Sequence, residues 1–140
     1  MPAKPKILIV GATGQVGKVL VDQLKANPQV EVVAAARNPD KAKDLGVSVV
    51  RLDLDKVESI EPALKDIDRA FLATGYTIDM MRQSKAFLNA AKRQGVKHIV
   101  HLGACGDDDT QIDHYGWHQF IERYVEWCGF SFTHLRPEIF

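Results

Sequence analysis

Three glycines spaced three apart, Gly11-Ala-Thr-Gly14-Gln-Val-Gly17, follow directly on an apolar, β-branched run, Lys6-Ile-Leu-Ile-Val10. A turn without side chains lets backbone approach a bulky anion closely. Val16, Val19, Leu20 and Leu24 come next at helical spacing. A helix that starts inside the turn directs free N–H groups and the positive end of its dipole at whatever the turn encloses. Strand, glycine turn and helix in this order are the arrangement that binds a dinucleotide pyrophosphate. The bland reading is a glycine-rich turn with no ligand, and the flanking strand and helix weigh against it. The candidate contacts are Gly11, Thr13, Gly14, Gln15, Val16 and Gly17.

Other candidates stand where later strands end. The second strand runs into Ala36-Arg37-Asn38. An acid at this place accepts hydrogen bonds from a ribose 2′-hydroxyl, whereas a guanidinium matches a 2′-phosphate. Arg37, with Lys41 as a second cation, therefore predicts NADP(H) in preference to NAD(H); the alternative is a solvated arginine. Asp53, followed by Leu54, leaves the third strand. Its carboxylate suits either an adenine amino group or a turn. Ala73-Thr74-Gly75 leaves the fourth strand and is small enough to pass the nicotinamide side of a cofactor.

On the last helix, His118 and Glu122 lie four residues apart and are surface neighbours. A carboxylate beside an imidazole favours its protonated form and can orient the ring. The same spacing also fits a polar pair at the rim of the stripe Trp117, Ile121, Tyr124, Val125 and Cys128. His114 and His118 are two ligands without a third, and Asp107-Asp-Asp109 reads as a solvated loop, so no metal is expected.

Strand and helix signals alternate along the whole chain. Strands are predicted at 6–10, 30–35, 47–52, 69–73, 98–102 and 130–135. Helices are predicted from the glycine turn to about Pro28, at 39–45 ending on Gly46, near 56–65, from about Met80 to Gly95, and at 113–128. This rhythm predicts an α/β fold: a doubly wound, parallel, six-stranded Rossmann sheet of order 3-2-1-4-5-6. The 140 residues make one domain, 1–140, ending at Phe140 directly after the sixth strand. The substrate lobe is missing, so the expected alternatives are an unusually open site or the front part of a longer protein, and the second is favoured. Eighteen basic residues balance eighteen acidic ones, which gives no electrostatic case for nucleic acid or an anionic membrane. No apolar run is long enough to span a membrane. Cys105 and Cys128 read as free thiols, and a cytoplasmic protein is expected.

Several of these segments together resemble a family: the NmrA-like group of atypical short-chain dehydrogenase/reductases. The resemblance covers essentially the whole chain. It rests on the glycine motif, Ala36-Arg37-Asn38-Pro39, Gly95-Val-Lys-His-Ile-Val100, Trp117-His118 with Glu122, and Thr133-His-Leu-Arg-Pro137. It implies NADP(H) binding and one of two roles. Some members reduce quinones or triphenylmethane dyes; others are redox-sensing regulators with little turnover. It also implies a substrate-side region beyond the Arg-Pro segment. The Ser-Tyr-Lys set of ordinary short-chain dehydrogenases is missing. Gly103-Ala104 stands where the serine would, and His118 and Glu122 stand where tyrosine and lysine would. Tyr115 does not substitute, because Gln119 lies four residues on. Ketone reduction needs a proton donor beside the hydride donor. A quinone or dye accepts hydride more readily and takes its proton from water or from His118, oriented by Glu122. The expected function is thus an oxidoreductase passing hydride from NADPH to a small quinone-like or dye-like acceptor. The alternative is an NADP(H)-sensing regulator with a protein partner. Either is expected as a monomer or homodimer.

Overall fold

The alternating apolar runs form strands because each is too short and too β-branched to be a buried helix. A computed structural model describes residues 3–138; Phe140 and the outer ends of the expected domain lie outside them. The chain runs β1 (Lys6–Ile9), α1 (Gln15–Lys25), β2 (Glu31–Ala36), a 3₁₀ segment (Pro39–Leu45) and β3 (Ser48–Arg51). A 3₁₀ turn (Val57–Ser59) then leads into α2 (Ile60–Ala63), β4 (Arg69–Leu72), α3 (Asp79–Arg93), β5 (His98–Leu102), α4 (Asp113–Trp127) and β6 (Ser131–Leu135). The six strands form one sheet of order β3-β2-β1-β4-β5-β6, every pair parallel. Right-handed crossovers produce this order, and it agrees with the expected Rossmann architecture.

Two expected helices are tighter or shorter than the periodicity implied. Residues 39–45 wind as 3₁₀. Asn38 Oδ1 accepts the Asp40 N–H at 3.1 Å, Pro39 fixes the first φ, and Gly46 closes the segment at φ 77°. Around 56–65 the Ser59 hydroxyl lies 2.7 Å from the Lys56 carbonyl and 2.9 Å from that of Asp53, and it accepts the Asp53 N–H. These bonds tie the turn to the exit of β3, so only Ile60–Ala63 becomes α-helical.

Two apolar layers flank the sheet. Leu8, Leu72, Phe87, Leu88, Ile99, Ile121 and Val125 fill the side covered by α2, α3 and α4. Ile9, Val21, Val32, Ala34 and Phe71 fill the side covered by α1. Beside α1 this second face carries an apolar groove of about 610 Å³ that includes Val16, Val19, Phe71, Val100 and Leu135. Both cysteines are free thiols, Cys105 exposed and Cys128 buried. Burial pushes the Cys128 thiol up from its ordinary pKa. Among the described residues, no helix is long and apolar enough to cross a membrane.

Candidate functional site

The glycine turn leaves β1 and enters α1 in three steps. Gly11 takes φ 72°, a left-handed conformation that costs glycine nothing. The Gly14 N–H then donates to the Gly11 carbonyl at 2.9 Å and closes the turn. Gly17 lies against that same carbonyl, and a Cβ there would be driven into it. No side chain caps α1 and its first turn holds no acid, so its leading N–H groups and dipole are not neutralised locally.

Above the carboxyl ends of β1 to β4 the structure opens into a cleft of about 460 Å³. Gly11, Thr13 and Gly14 reach it from the turn, Arg37 from β2, Asp53 and Leu54 from β3, and Ala73, Thr74 and Gly75 from β4. Gln15 and Val16 face the apolar groove on the far side of α1, and Gly17 is buried beneath the turn. Arg37 is exposed and takes part in no ion pair among the described residues. The Thr74 hydroxyl is buried and has no partner among the described residues. Asp53 Oδ1 accepts the Asp55 N–H at 2.9 Å, so this carboxylate shapes a turn at the rim of the cleft. Asp55 was not singled out in the sequence. It accepts from Gln83 and Arg82, each at 2.9 Å, and these bonds hold its carboxyl below the usual range.

The last helix departs from expectation. His118 and Glu122 are 3% and 2% exposed, so they are buried rather than at a rim, and neither lines that cleft. No hydrogen bond joins them among the described residues. Glu122 instead takes a fork from Arg136 on the β6 exit, Nε to Oε2 at 3.0 Å and a terminal nitrogen to Oε1 at 2.8 Å. A buried carboxylate needs a full counter-charge and donors for both oxygens, and a guanidinium supplies both. His118 turns to β5, where its Nδ1 lies 3.3 Å from His101 Nε2. Burial, with the charges of His118 and His134 adding, pushes His101 down to about 3. Burial likewise lowers His118, His114 adding to the effect and Glu122 opposing it. The ring of Tyr76, the residue after Gly75, lies edge-on 6.3 Å from that of His118 and 5.3 Å from that of His114.

His101, His134, Arg136 and Tyr76 were the partners that sequence reading did not supply. A signal existed for His101. It shares a strand face with buried Ile99, and a polar residue in that register must have a partner. His134 and Arg136 stood in a noted segment, but no spacing connects β6 to α4 in advance.

A family model described as NAD(P)H-binding matches residues 11–140. An NAD(P)H azoreductase from Xenophilus azovorans is 31% identical over 140 residues, covering 96% of this chain and 48% of the azoreductase. The triphenylmethane reductase of a Citrobacter species, solved with NADP(H), superposes with a TM-score of 0.87 at 28% identity, over 96% of this chain and 50% of that one. An NADPH-dependent quinone oxidoreductase from Escherichia coli, solved with NADPH, superposes with a TM-score of 0.83 at 30% identity, over 93% and 48%. The chain thus spans about half the length of these relatives.

Proposed function

The chain belongs to the NAD(P)H-binding family, and on that premise we propose that it is an NADPH-dependent oxidoreductase whose acceptor is a quinone or a dye of comparable shape. One observation carries the reading. The glycine turn, Arg37 and the Thr74 hydroxyl, the last two without an ion-pair or hydrogen-bond partner among the described residues, converge on one cleft at the carboxyl edge of the sheet. Ligands of open α/β sheets bind at that edge.

The residues present fit the nucleotide. The uncapped N-terminus of α1 and the bare turn would hold the diphosphate, and Arg37 would hold the 2′-phosphate. The Thr74 hydroxyl would be available to a polar group of the bound nucleotide. When bound, NADPH supplies a hydride. The protein supplies position and, through Tyr76, a flat aromatic surface for a planar acceptor. The reduced acceptor takes its proton from water, and His118, edge-on to Tyr76 with ring centroids 6.3 Å apart, holds that aromatic surface in place. The adjacent His101 is held neutral by burial. With a proton on His101 Nε2 donated to His118 Nδ1, His118 keeps its own proton on Nε2, the buried nitrogen that has no partner. In this scheme His101, not Glu122, orients His118.

Steady oxidation of NADPH with a benzoquinone tests the reading. Turnover that falls about tenfold in His118→Ala, as Tyr76 loses its support, with NADPH affinity kept, is the expected result. Tight NADPH binding without turnover across several quinones and dyes would replace it with the regulatory alternative.

A further inference from the structure

Behind the cleft, three buried side chains from three elements converge. His101 on β5, Glu122 on α4 and His134 on β6 each offer a ligand atom, and these atoms lie within 4.8 Å of one another. Both imidazoles already use Nε2: His134 meets Glu126 Oε2 at 3.0 Å, and His101 meets His118 Nδ1 at 3.3 Å. A neutral ring with its proton on Nε2 keeps a lone pair on Nδ1. The Nδ1 atoms of His101 and His134 are both buried and have no partner among the described residues. A carboxylate on the far nitrogen, as Glu126 is on His134, is how a ligating imidazole is commonly fixed. Gly103 preserves the space between ligands, because a Cβ there would lie 3.2 Å from His101 Cε1 and 3.5 Å from Glu122 Oε2.

We propose that His101, Glu122 and His134 form a binding site for a divalent transition cation of the zinc class. Two imidazoles and one carboxylate are a borderline donor set, suited to zinc and cobalt and poorly suited to magnesium or calcium. Bonds of about 2.0–2.1 Å to a tetrahedral ion place ligand atoms about 3.3 Å apart. Closing the present separation to that value requires rotamer adjustment of the three side chains. Arg136 is the competitor. Its guanidinium holds both Glu122 oxygens, with Arg123 a second cation 3.5 Å from Oε1; Arg136 is half-exposed and lines an open cleft of about 460 Å³ together with Ala104, Gly106, Glu122 and Arg123. That cleft is the way in. A cation reaches the carboxylate only when Arg136 swings outward, so the metal and the guanidinium exclude each other. The site lies outside the lining of the nucleotide cleft but shares His101 with the proposed support of His118, so metal uptake is read by titration and not by turnover.

Titration of the metal-stripped protein with Co²⁺, followed by displacement with Zn²⁺, tests the proposal, with Mg²⁺ as a control. One equivalent of Co²⁺ is expected, with visible d–d absorption of a low-coordinate nitrogen–oxygen site, lost on adding Zn²⁺ and unaffected by Mg²⁺. Glu122→Gln and His134→Gln should each weaken Zn²⁺ about 100-fold, and Arg136→Gln should tighten it about tenfold by removing the competing charge. The gain in Arg136→Gln remains readable even if a ligand variant folds poorly. No saturable Co²⁺ or Zn²⁺ uptake by the natural protein and Arg136→Gln would overturn the proposal. So would uptake unchanged in well-folded Glu122→Gln and His134→Gln, or an affinity in Arg136→Gln no higher than in the natural protein.

Discussion

The glycine-turn region and the α4 histidine region share one edge of one sheet, yet they treat polar groups in opposite ways. Around the turn, polar groups face outward. The first N–H groups of α1 carry no side-chain cap and Arg37 has no ion-pair partner among the described residues. Around α4 they are withdrawn. His101, His118 and Glu122 are 0%, 3% and 2% exposed. The first region uses backbone geometry, which water screens and an incoming anion completes. The second uses side-chain chemistry in a poorly solvated interior, where desolvation decides which groups carry charge. A ligand is therefore expected to dominate the first region's behaviour, and protons or a cation the second's.

Acid should separate the two regions most strongly. His101 sits near 3 in the folded protein against 6.5 for the free side chain. Between those values the unfolded chain binds the extra proton, so this contribution is complete above pH 6.5 and is lost as pH falls. The loss reaches about 3 kcal/mol near pH 4. Urea unfolding of the natural protein and His101→Asn across this range should give curves that converge as pH drops, and parallel curves would refute a buried neutral ring. Gly17→Ala acts on the other region. Its methyl meets the Gly11 carbonyl. A loss of about 2–3 kcal/mol in thermal or urea unfolding is expected, with nucleotide affinity lost as the turn deforms. Arg136→Ala removes the fork from Glu122. About 2 kcal/mol is expected, toward the low side because the guanidinium is half-exposed, with no change in nucleotide affinity. Arg37→Ala should leave unfolding within about 0.5 kcal/mol. Its effect belongs to binding, a loss of about 1.5–2 kcal/mol for NADPH and almost none for NADH.

The two regions were also unequally legible. The sheet order could be read from the alternation of apolar runs and helical stripes, because parallel crossovers leave few topologies. The convergence of the candidate residues on one cleft was legible for a related reason. Gly11, Gly14 and Arg37 lie next to strand ends whose positions the pattern already defines, so local sequence brings them together. Asp53 shows the limit, since the same residue type shapes the Asp55 turn as readily as it meets a base. The partners of His118 and Glu122 were not legible. Helical spacing puts the two residues side by side, but burial makes each seek its strongest partner, and those partners came from β5 and the β6 exit. Short-range spacing reports helix neighbours only where solvent leaves them free to choose each other. The 3₁₀ winding of 39–45 was missed similarly, because apolar spacing does not register the Asn38 cap that tightens the segment.

Calorimetric titration of the folded protein with NADPH and with NADH tests the central claim most directly. One NADPH per chain, bound at least about tenfold more tightly than NADH, with that preference erased in Arg37→Ala, is the result the turn and its guanidinium predict. No heat of binding from either nucleotide, with the protein demonstrably folded, would contradict it.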